Sequence, residues 1–73
     1  MSYKLTVHTE YDDGFVQTTE HESQGDPTEA MKERVTRLVK AGTGFTAVGR
    51  TLTFTEHNPD LGPVKTTLVY EQT

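Results

Sequence analysis

The stretch DPTEAMKERVTRLVKAGTG, Asp26 to Gly44, constrains the fold of this chain more than any other. Asp26 reads as a helix N-cap, because its short carboxylate can accept from amides that the first helical turn leaves without partners. Pro27 suits the first helical position, where its missing N–H costs nothing. Glu29 stands where a capping-box carboxylate reaches back. Met31, Val35, Leu38 and Val39 then recur on one stripe, and Gly42 supplies the left-handed residue at which a helix stops. One amphipathic helix, from about Pro27 to Ala41, is therefore expected.

Segments of a different period flank it. Tyr3, Leu5, Val7, Thr9 and Tyr11 alternate with Lys4, Thr6, His8 and Glu10, the pattern of a half-buried strand. Asp12-Asp13-Gly14 reads as a hairpin loop into a second strand from Phe15 to about Glu22. Two registers compete. A two-residue turn at Asp13-Gly14 would set Val7 against Glu20 and Leu5 against Glu22, placing two carboxylates among core residues. A three-residue loop pairs Tyr11 with Phe15, Val7 with Thr19 and Lys4 with Glu22, which exchanges two costly burials for a cross-strand charge pair. The three-residue loop is expected.

Ser23-Gln24-Gly25 breaks the second strand. Beyond the helix, Gly42-Thr43-Gly44 turns the chain, and Phe45 and Val48 are expected to tuck back onto the core. Arg50 to Glu56 alternates again with Leu52 and Phe54 inward, His57 to Pro63 reads as a loop, and Val64 to Tyr70 closes the chain. The fold class is α+β. The order is ββαββ, a four-stranded, mainly antiparallel sheet with one helix packed on one face. The open face then carries Lys4, Thr6, His8, Glu10, Val16, Thr18, Glu20, Thr51, Thr53, Thr55, Lys65, Thr67 and Val69, polar groups rich in methyls.

Seventy-three residues make one domain, near the lower size at which a core sustains a fold without staples. Cysteine is absent, which removes disulfides and thiolate metal sites. Ile and Trp are absent too, so Val, Leu, Phe and Tyr must form the core, aided by a partner or by self-association into a homodimer. No apolar run approaches the roughly 18 to 20 residues that span a bilayer, and MSYKLTVHTEY lacks the design of a secretory signal. The expectation is a cytoplasmic protein with no membrane partner.

Charge is segregated along the chain. Residues 1–29 carry a balance of −6, residues 30–50 of +4 and the remainder of −2, giving the net −4. Acids at a helix start and bases at its end suit the macrodipole and explain part of this. The rest can steer a charged partner.

Chemistry-bearing motifs are sparse. His8, His21 and His57 show no HxH, HxxxH or HExxH spacing, and neighbours within Glu20-His21-Glu22 point to opposite faces of a strand. No metal and no cofactor is expected. No GxSxG elbow is present, and Asp12-Asp13 on a hairpin tip would be solvated with nothing to separate their pKa values. No enzymatic activity is expected. Gly42 and Gly44 follow a helix C-terminus, whereas phosphate loops precede an N-terminus.

Two binding readings survive. The leading one is a non-enzymatic protein-binding module, a stoichiometric inhibitor or adaptor acting through its acidic hairpin, Glu10, Asp12, Asp13, Glu20 and Glu22, and its open sheet face. Such a surface could also imitate a nucleic acid before a basic groove. The alternative is nucleic-acid binding through Lys32, Arg37, Lys40 and Arg50, which the acidic balance and the lack of stacking aromatics on the open face oppose. Small accessory and inhibitor proteins, phage-encoded ones included, share this size and architecture, which is analogy at the level of fold.

Overall fold

The computed structural model describes residues 1–73. Strands β1 (Ser2–Glu10) and β2 (Val16–Gln24) precede helix α1 (Pro27–Ala41), and strands β3 (Phe45–Val48), β4 (Thr51–Asn58) and β5 (Gly62–Gln72) follow it. All strands join one sheet of order β2-β1-β5-β4-β3 with antiparallel neighbours. The class is α+β with a single helix, but the sheet has five strands where four were expected.

The extra strand is β3. Phe45 and Val48 do not tuck into the core: Val48 is 70% exposed, and the segment pairs along β4 instead. Its physical reason lies at Gly49-Arg50, the two residues between the paired Val48 and Thr51. Gly49 sits at φ 59° and Arg50 at negative φ, the Gly-X arrangement that suits a type II′ hairpin turn. A four-residue strand shows too few alternations to declare itself in a sequence.

The β1–β2 hairpin follows the expected register, with Val7 opposite Thr19 and Lys4 opposite Glu22. Its loop is closed by Tyr11 N–H to the Phe15 carbonyl at 2.9 Å and Gly14 N–H to the Tyr11 carbonyl at 3.0 Å. Gly14 adopts φ 90°, where a Cβ would be strained. The expected loop from His57 to Pro63 is much shorter. Asn58 pairs Gly62 and His57 pairs Pro63, leaving only Pro59-Asp60-Leu61 as the turn. The Asn58 side chain braces it, accepting from Asp60 N–H at 2.8 Å and Leu61 N–H at 3.1 Å.

Helix α1 begins as expected, with the Asp26 carboxylate accepting from Thr28 N–H at 2.9 Å and Pro27 in the first turn. It ends at Gly42, whose φ is 72°. Two details differ. Glu29 does not close a capping box but approaches the Lys32 ammonium at 3.6 Å, one turn on. Val39 is 62% exposed; it stands about 100° around the helix from Leu38, beyond the stripe that meets the sheet.

Met31 and Leu38 from the helix meet Leu52, Phe54, Leu68 and Tyr70 from β4 and β5, with Tyr3, Leu5, Val7, Ala30 and Val35 around them. The register places every residue of the expected open face on the side away from this cluster. Because β2 and β3 lie at opposite edges, α1 carries the chain across the sheet. It starts beside the β1 N-terminus, where Gly25 N–H reaches the Met1 carbonyl at 2.8 Å, and ends beside Thr55, Glu56 and His57. Fifteen residues of helix span about 22 Å, whereas the eleven residues of β5 span about 37 Å. The two hairpin tips therefore run on past the helix, consistent with a molecule 38 Å long and 18 Å thick.

Candidate functional site

A concavity lies between those tips. Because β1 pairs with β5, the Asp12-Asp13-Gly14 loop lies beside the Pro59-Asp60-Leu61 turn. A hollow of about 450 Å³ opens between them, lined by Tyr11, Asp12, Asp13, Phe15, Asp60 and Leu61. A second, of about 340 Å³, adjoins it across Tyr11 and Leu61 and is bounded by Glu56, His57, Pro59 and Val64.

The floor is apolar and exposed. Phe15 is 60% and Leu61 54% accessible, and the Tyr11 and Phe15 rings pack in a tilted pair with centroids 5.7 Å apart. Tyr11 lies on the helix-covered side of the sheet by register, yet this cluster sits clear of α1, so apolar surface stays in water. Such clustering on a small domain is characteristic of interaction surfaces.

The rim is acidic. Asp12 and Asp13 come from one tip, Asp60 from the other and Glu56 from the end of β4. The ion pairs of the chain are Lys4–Glu71 and Glu29–Lys32, and the remaining charged contact sets His8 beside Glu10, so none of these four carboxylates has an internal cation. Asp13 is partly committed to structure, accepting from Phe15 N–H at 2.9 Å. The tips sit close together: a Cβ built on Gly62, whose φ is 76°, would meet the Asp12 Oδ2 at 3.5 Å. A Cβ at that distance would make only ordinary contact, so it is the positive φ that calls for glycine at this position.

The acidic residues singled out in the sequence thus divide. Asp12 and Asp13 reach the tip hollow. Glu10, Glu20 and Glu22 lie along the open face of β1 and β2, with Glu20 opposite Thr6 and Glu22 opposite Lys4. The expected Lys4–Glu22 charge pair does not form: Lys4 turns to Glu71 on β5 instead, 4.0 Å away. Asp60, Leu61, Tyr11 and Phe15 join the site without a sequence signal that sets them apart as binding residues. Both loops carry the Asp/Asn-rich, Gly-ended pattern of tight turns, but their adjacency depends on β1 pairing with β5, which no local pattern declares.

The basic residues do not converge. Lys32 and Arg37 are about 140° apart around the helix, Lys32 is engaged by Glu29, and Arg50 sits in the β3–β4 turn. Lys40 is exposed near the helix C-terminus, where the dipole favours it. Arg34 is folded inward, its guanidinium 5.4 Å from the centroid of the Phe54 ring.

No three His, Asp or Glu side chains come together as a metal-holding group. His8 is held on the open face by Thr18 Oγ1 at 2.9 Å from Nδ1 and by Glu10 at 3.6 Å from Nε2. No helix is long and apolar enough to cross a membrane. Comparison with protein-family models, with curated proteins and with solved structures returned no match.

Proposed function

We propose that this is a non-enzymatic protein-binding module, a stoichiometric inhibitor or adaptor, whose paired hairpin tips take a basic segment of another protein with an apolar side chain at its centre. The observation that supports it is the hollow itself: exposed Phe15 and Leu61 beside half-buried Tyr11, inside a rim of Asp12, Asp13 and Asp60, with Glu56 on the adjoining hollow, and no ion pair within the chain to any of these carboxylates. An apolar anchor would fill the floor while Lys or Arg on either side met the rim. The fixed negative field would speed encounter and orient the partner, and burial of the anchor would slow release. Glu10, Glu20 and Glu22 on the open face add to the field.

The test uses a defined probe, the peptide Lys-Lys-Phe-Leu-Lys-Lys, titrated by calorimetry into the parent and into Asp12→Lys with Asp60→Lys. The parent is expected to bind, and the affinity to fall as salt rises from about 0.01 M to about 0.15 M, where the screening length drops from about 30 Å to about 8 Å. The double reversal should lose at least about tenfold in affinity, about 1.4 kcal/mol. Equal binding by both proteins would overturn the reading, as would tighter binding of a duplex oligonucleotide by the parent, which alone would favour the basic residues Lys32, Arg37, Lys40 and Arg50.

A further inference from the structure

The sheet has two free edges, and they are built differently. Strand β2 presents Glu20, His21 and Glu22 near the middle of its outer edge. If two copies paired there about His21, Glu20 of each would face Glu22 of the other, and like charges directly opposite repel. That edge is guarded. Strand β3 carries no charge at all, and the uncharged run extends from Ala41 to Gly49. Phe45 and Val48 are both exposed on it.

The direction of the unpaired backbone groups follows from the hairpin. Residues flanking a two-residue turn bond each other, and bonded and non-bonded pairs then alternate along the ladder. Val48 and Thr46 therefore turn N–H and C=O toward β4, and Phe45 and Ala47 turn theirs outward. No loop, cap or turn hydrogen bond elsewhere in the chain uses those outward groups.

We propose that β3 is a self-association edge at which a second copy of this chain adds its own β3 in antiparallel register about Thr46. A two-fold axis normal to the sheet reverses the strand and keeps both helices on the same side. Phe45 of each copy then pairs with Ala47 of the other, so the outward groups of both residues exchange four backbone hydrogen bonds. The large Phe45 ring lies beside the small Ala47 on the helix side. Thr46 meets its symmetry mate on the open face, extending the row Thr18, His8, Thr67, Thr53 and Thr46 that already crosses the protomer. Arg50, which has no carboxylate partner within its own chain, approaches the carbonyl end of the other copy's helix, where the dipole is negative. The product is a continuous ten-stranded sheet with the tip hollows at opposite ends and both free, so it stands independently of the function proposed above.

Sedimentation equilibrium over a range of protein concentrations tests this. The parent should shift from 8.2 kDa toward twice that mass as concentration rises. Ala47→Pro removes one outward N–H and leaves the β4 ladder intact, as proline on an edge strand can, and should hold the chain at the monomer mass. Thr46→Lys, which sets two ammonium groups face to face, should do the same and covers the event that the proline variant does not fold. Glu20→Gln should leave the dimer unchanged. A parent that stays monomeric up to millimolar concentration, or a folded Ala47→Pro or Thr46→Lys protein that still dimerises, would overturn the proposal.

Discussion

Leu52 has no accessible surface and lies between the helix and the sheet, so its side chain cannot be shortened without leaving a void. Leu52→Ala should cost about 2 to 5 kcal/mol, a large share of the roughly 5 to 15 kcal/mol that holds a domain folded. Thermal or urea denaturation checks it, and a variant that melts with the parent would mean that the core is not where it is placed here. Tyr70 makes a different prediction. Burial raises its phenol above the ordinary 10.0, with nearby Tyr3 adding to the rise and Arg34 and Arg37 opposing it. The folded chain therefore keeps this proton to higher pH than the unfolded chain does. Its contribution is whole below about pH 10 and is lost as pH rises from there through the folded value, because the unfolded state releases its proton first. In Tyr70→Phe the alkaline fall in stability should be shallower than in the parent, measured as urea midpoints across pH 9 to 11 within that about-10 phenol range.

Elements were legible in the sequence in proportion to how much local chemistry they carry. The helix bounds are fixed by Asp26, Pro27 and Gly42, each of which does locally what its type suggests. Asp26→Ala should cost about 0.5 to 2 kcal/mol in a denaturation midpoint, and no loss would mean that the Thr28 amide is satisfied in another way. The β1–β2 register was legible because only one pairing keeps Glu20 and Glu22 off the core face. Strand β3 was not, since Phe45 to Val48 is brief, uncharged and flanked by glycine, and its strand character comes from pairing with β4. The turn after β4 was overestimated for a related reason. Asn58, Pro59, Asp60 and Gly62 all read as loop residues, yet two of them sit in the ladder, and the Asn58 carbonyl oxygen tightens the remainder.

On the scale of the whole molecule, the charge asymmetry of the sequence becomes spatial through strand order. The acidic tip of β1–β2 gains Asp60 and Glu56 from a hairpin roughly fifty residues further along the chain only because β5 inserts between β1 and β4. Strand order is the part of the fold that a single sequence does not reveal, and the candidate site depends on it. The helix meanwhile crosses the sheet from the β1 N-terminus toward β4 and leaves the apolar floor between the tips uncovered. A shift map of backbone amides by nuclear magnetic resonance, recorded as the Lys-Lys-Phe-Leu-Lys-Lys peptide is added, tests whether that uncovered end is where partners bind. Shifts should concentrate at Tyr11 to Phe15 and at Asn58 to Val64, two segments far apart in sequence, while Lys32 to Lys40 stay still. Shifts confined to the helix, or spread along the open face without the tips, would contradict the assignment.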